Sequence, residues 1–173
     1  MIMPRGSGQL LLPAKPWFIA LTLLLALLTD MMPLGPQPAK PALLAVVLVF
    51  WNVHQPRRIG VGWAFFLGLL IDVHHGALLG QHALAYSGLA FLAVSLHRRL
   101  LWFGVWEQTV QVLLLFTAAH LVQFVVRMLL GGMAPSPWAL LAPLLEALLW
   151  PVATALLLAP QRRAPDRDEN RPL

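Results

Sequence analysis

Apolar residues dominate this chain in long runs. Six of them, Trp17–Leu34, Pro41–Val53, Ile59–Val73, His82–Leu96, Phe103–Leu130 and Pro137–Ala159, approach the about 20 residues that a membrane-spanning helix needs. Prolines and glycines separate the runs. The stretch Pro33-Leu34-Gly35-Pro36-Gln37-Pro38-Ala39-Lys40-Pro41 cannot continue a helix and reads as a connection. Gly131-Gly132 and Pro135-Ser136-Pro137 break the chain again before the last run. The pattern predicts six helices. The second and third runs reach spanning length only with their flanks, so five spans and a re-entrant segment is the alternative. No repeat of fixed period is visible.

Composition sharpens this reading. Of 173 residues, 59% are hydrophobic and 11% charged, and mean hydropathy is +0.74. Soluble domains carry about 25% charged residues, and a chain this small has too few here to cover its surface. Disordered chains are polar. Both classes are excluded, and the fold class expected is an all-α integral membrane protein. There is no cysteine, which removes disulfides, thiolate metal sites and a thiol nucleophile.

The net charge is +5, but the basic residues sit in pairs between apolar runs (Arg57-Arg58, Arg98-Arg99, Arg162-Arg163) and not on one patch. That placement reads as membrane orientation and not as nucleic-acid binding. With the N-terminus inside, ten Lys and Arg fall on the cytoplasmic side and two, Lys40 and Arg127, outside. The expected organisation is a cytoplasmic segment over 1–16, a six-span domain over 17–160 and a polar, disordered cytoplasmic tail over 161–173. The first run resembles a signal-peptide core, but no A-x-A-like cleavage site follows it, so it is expected to remain.

Candidate chemistry is sparse. Gly60, Ala64, Gly68, Asp72, Gly76 and Gly80 recur every four residues, which on one helix makes a slowly winding ridge of small residues for close helix contact. The contact is either within the bundle or with a partner's helix. Acidic residues inside spans are functional candidates by default. Glu107 lies near the cytoplasmic start of the fifth run, whereas Asp30 and Asp72 lie in the outer halves of theirs. Glu146 is deepest, roughly 13 Å into the sixth run. His120, on the preceding antiparallel helix, is its expected partner, as a structural pair or a proton relay. Asp72 can reach water, cap the N–H groups of a following helix, meet a partner's cation, or pair with Arg127, the internal arginine expected at the outer face.

Asp72, His74, His75 and His82 match no zinc signature, and no G-x-S-x-G surrounds a serine. No catalytic residue, metal site or cofactor is expected. Gln108, Gln111 and Gln123 suit interhelical hydrogen bonds. The tryptophans read as interfacial belts, except Trp150, which precedes the helix-kinking Pro151.

The run Pro56-Arg57-Arg58-Ile59-Gly60 through Gly68-Leu69-Leu70-Ile71-Asp72, then Gly76, Gly80 and Leu84, resembles the core signature of the bacterial rod shape-determining protein MreD family. That pattern is P-x-R followed by a glycine-spaced helix ending G-L-L-x-D-x-x-x-G-x-x-L-G. Leu149-Trp150-Pro151 with Arg162-Arg163, and Trp106-Glu107-Gln108, are similar to other parts of the family. The resemblance implies a non-enzymatic inner-membrane component of the cell-elongation machinery. Its implied direct partner is MreC, with MreB, RodA and the cognate transpeptidase in the wider complex for lateral peptidoglycan synthesis. It also implies a fold similar to the substrate-binding subunits of energy-coupling-factor transporters. A small-molecule-binding subunit of such a transporter is the competing reading, although the A-x-x-x-A motif it would carry on the first helix is absent, Leu24 following Ala20.

Overall fold

At the centre of the molecule is a helix with no polar face. In the computed structural model, which describes residues 14–32, 40–76, 79–132 and 136–161, α2 (Leu43–His54) is buried along nearly its whole length. A helix that is apolar all round belongs inside a bundle. Here α2 packs on α1 (Pro16–Met31), α4 (Gln81–Trp102) and α6 (Ala142–Leu158). Around this centre α3 (Val61–His75) packs on α4, and α5 (Val105–Leu129) lies between α4 and α6. A 3₁₀ stretch, Pro137–Leu141, leads into α6, and another, Ala159–Gln161, follows it.

Local sequence sets the ends. Pro16 starts α1 at the position where its missing N–H costs nothing. Gly104 precedes α5, where the Glu107 carboxylate accepts the Gly104 N–H at 3.2 Å. Gly131, with φ of 76°, terminates α5 in the left-handed conformation, and the next N–H reaches back to the Arg127 carbonyl at 2.9 Å.

The six α-helices among the described residues match the six apolar runs, with one change of length that matters. α2 has 12 residues, about 18 Å, against about 30 Å for a hydrocarbon core. α1 and α3 are also short, at 16 and 15 residues. Among the described residues, two segments are long and apolar enough to cross a membrane, Val105–Leu129 and Pro137–Gln161. Leucines and phenylalanines stand exposed on the outer helix faces, among them Leu24, Phe91, Leu114, Leu148 and Leu156. An all-helical bundle with apolar outer faces and two long apolar helices is consistent with a membrane protein. The segment over residues 1–13 and the tail over 162–173 lie outside the described residues.

The core corrects one expectation. Trp51, assigned to an interfacial belt, is fully buried, and its indole N–H donates to Thr22 Oγ1 at 2.9 Å. It ties α2 to α1. Trp17, Trp63, Trp102, Trp106 and Trp138 are exposed, as a belt requires.

Candidate functional site

Helices α2 and α4 begin without a capping side chain of their own. Their N-cap residues are Ala42 and Gly80, neither of which makes a side-chain cap. The first N–H groups of a helix have no intrahelical acceptor and must find one elsewhere. For α2 the acceptors come from two other helices. Asp30, on α1, accepts from the backbone N–H of Leu43 at 3.0 Å and of Leu44 at 2.9 Å. Glu146, on α6, accepts from the Ala42 N–H at 3.0 Å. At α4, Asp72 accepts from the N–H of Gly80 at 2.9 Å, of His82 at 2.9 Å and of Ala83 at 3.3 Å.

All three carboxylates are buried, with Asp30 5%, Asp72 0% and Glu146 1% exposed. Buried carboxylates demand hydrogen bonds, and the positive end of a helix dipole supplies them along with favourable charge. Two histidines complete the arrangement. His82 Nδ1 lies 2.7 Å from Asp72 Oδ1, and His120 Nε2 lies 3.0 Å from Glu146 Oε1. Lys40 closes the opposite kind of end: its ammonium donates to the Asp30 carbonyl at 2.8 Å, at the C-terminus of α1.

Above the start of α2 these groups surround a polar cavity of about 270 Å³. Asp30, Lys40, His75, His82, Tyr86 and His120 line it. A second, larger cavity of about 640 Å³ lies between α5 and the 3₁₀ stretch leading into α6, and shares Lys40, His120 and Gln123 with the first.

The His120–Glu146 contact is the one that antiparallel depth predicted. The Asp72–Arg127 pair is not made: Asp72 is filled by the N–H groups of the α3–α4 turn and by His82, the capping alternative. The ridge is also shorter than the spacing suggested. Gly60 precedes α3, and Gly76 and Gly80 take positive φ of 58° and 98°, so they end the helix and form the turn. Only Ala64, Gly68 and Asp72 remain on α3, and all three are buried. Gly68 faces the start of α4, where a Cβ would lie 2.6 Å from Ala83 Cα. His74 and His75 are exposed at the end of α3.

Comparison with known proteins places this chain. The pattern of the family described as rod shape-determining protein MreD matches residues 13–159. The chain belongs to the MreD family. It is 32% identical over 131 residues to the rod shape-determining protein MreD of Haemophilus influenzae, covering 76% of this chain and 81% of that protein. No solved structure matches it.

Two further elements of the MreD-like pattern have visible roles at the opposite end of the bundle. Pro56 opens the turn between α2 and α3, and Arg58 donates to the Ala14 carbonyl at 2.6 Å, fastening that turn to the start of α1. Trp150 is fully buried and donates its indole N–H to Gln108 Oε1 at 3.1 Å, while Gln108 Nε2 bonds the Phe103 carbonyl at 3.0 Å. This explains a tryptophan inside α6 and joins α5 to α6. Pro151 lies within α6, which continues to Leu158.

Sequence reading missed Tyr86 and Gln81, both buried and both lining cavities. It also missed that Asp30 and Glu146 cap the start of α2, whereas capping of the following helix was among the alternatives for Asp72. The available signal was the lack of Ser, Thr, Asp or Asn at the start of α2 and α4, beside acids on neighbouring helices. Glu146→Ala leaves the Ala42 N–H and the His120 ring without their acceptor. It is expected to cost about 1–3 kcal/mol, read as a lower thermal midpoint in detergent, with Glu146→Gln losing less because its amide oxygen still accepts.

Proposed function

We propose that this chain is an inner-membrane component of the rod complex, crossing the bilayer six times with both termini in the cytoplasm. In this reading it binds the membrane-proximal helix of MreC and works with MreB, RodA and the cognate transpeptidase to organise lateral peptidoglycan synthesis. The family match over residues 13–159 carries the proposal. The excess of Lys and Arg in alternate loops supports the orientation. The short α2 fits a helix whose start is sunk below the outer surface, under the polar cavity. The energy-coupling-factor subunits offer the comparable six-helix architecture.

The protein acts by contact and not by catalysis. Its buried carboxylates, the groups best suited to acid–base work, are occupied by backbone N–H groups and two histidines. Ala64, Gly68 and Asp72 serve the α3–α4 contact, which leaves the apolar outer faces to meet lipid and partner.

Affinity purification from membranes tests this. The chain is expected to carry MreC with it, and to lose it when MreC's membrane helix is replaced by an unrelated apolar helix. Purification free of MreC from cells that make both proteins would contradict the proposal, as would a tightly held vitamin-like molecule. Reporter fusions after Arg58 and Arg99 should read cytoplasmic, and one at Gln37 periplasmic; a periplasmic signal at Arg99 would overturn the topology.

A further inference from the structure

The cavity of about 640 Å³ between α5 and the 3₁₀ stretch before α6 is unlike the rest of the outer surface. Its size is that of a small-molecule site. Leu121, Phe124, Leu140 and Pro143 give it apolar walls, and two cations, Lys40 and Arg127, line it. Among the described residues no carboxylate lines it. Glu146, one turn beyond the lining Pro143 on α6, is engaged by the Ala42 N–H and His120. Arg127 makes no ion pair among the described residues. Its stem is packed, because the Schellman turn brings Gly132 so close that a Cβ there would lie 2.6 Å from Arg127 Cγ.

Gln81 also lines this cavity, and its primary amide can donate to an anion. Positive charge, an amide donor and apolar walls together fit an amphiphile with an anionic head. The cavity is on the side assigned to the outer leaflet, so a lipid occupant rests on the membrane reading of the chain.

We propose that this cavity holds an anionic phospholipid, its phosphate toward Arg127 and the Gln81 amide and an acyl chain along Leu121, Phe124 and Leu140. Bound there, the lipid would fill the gap between α5 and α6.

Native mass spectrometry of the full chain in mild detergent tests it, with phosphatidylglycerol and phosphatidylcholine of identical chains added in parallel. The wild type is expected to retain phosphatidylglycerol about fivefold better, the increment of one basic residue near an anionic lipid. Arg127→Gln should abolish the preference. Leu140→Trp, at a position 79% exposed and therefore tolerant of change, should reduce retention of both lipids. Arg98→Gln, exposed at the other end of the bundle, should change nothing. Equal retention of the two lipids by the wild type, or a preference that survives Arg127→Gln, would overturn the proposal. So would inorganic phosphate displacing the lipid as well as phosphatidylglycerol does, since the site would then be one for a free anion. A single cysteine, Leu140→Cys, gives a further arm in this cysteine-free chain. Its cross-linking to a second copy or to MreC would assign the cavity to a protein helix instead, whereas modification by a lipid-borne maleimide supports the proposal.

Discussion

Asp72→Ala is expected to destabilise the protein more than the loss of any other polar side chain, by about 3 kcal/mol or more. Three backbone N–H groups and the His82 ring converge on this carboxylate, and each buried donor left unpaired costs about 1–3 kcal/mol. No side chain of the turn can replace it, because the N-cap is Gly80. Asp72→Asn keeps one acceptor oxygen but turns an amide N–H₂ toward another donor, so it should fall between the wild type and alanine. Thermal midpoints in detergent should follow that order. Asp72→Ala unfolding at the wild-type temperature, while still failing to support rod shape, would move the role of Asp72 from helix cap to partner contact.

Gly68→Ala is expected to cost about 1–3 kcal/mol, as overpacking does, and Gly68→Leu to prevent α3 and α4 from packing. The obstruction is main chain: the added Cβ would lie 2.6 Å from Ala83 Cα and 2.7 Å from Ala83 N. Backbone cannot swing aside as a side chain can. The same shift would pull the His82 and Ala83 N–H groups from Asp72, so the two sites are coupled. A double variant, Gly68→Ala with Asp72→Asn, should therefore lose less than the sum of the single losses. Strict additivity would show that the cap and the close contact act independently. Gly62→Ala is the control, since nothing lies within 4 Å of an added Cβ there.

Helix number and approximate ends were legible in the sequence because proline and glycine stand at the breaks, at Pro33–Pro41 and Gly131–Pro137. The His120–Glu146 contact was legible because rise per residue sets depth on two antiparallel helices. Asp72 was misread where it was paired with Arg127, because charge matching looks for side chains. Its partners are main-chain N–H groups 8 to 11 residues on, together with the His82 ring, and main-chain donors leave no mark in composition. The ridge of small residues was read as one helix to Gly80. Spacing by four does not reveal that Gly76 and Gly80 adopt positive φ, where glycine is favoured and the helix stops. Trp51 shows the same limit: a tryptophan near the end of an apolar run looks interfacial until the helix is seen to be central. Gln81 and the larger cavity were invisible, since they arise from α4, α5 and the start of α6 meeting in space.

That this chain sustains cell shape by contact within the membrane is tested most directly in cells depleted of their own copy. Wild-type protein is predicted to restore rods, and Asp72→Ala to leave cells round with little protein in the membrane. Round cells carrying wild-type protein in the inner membrane at its normal level would contradict the account.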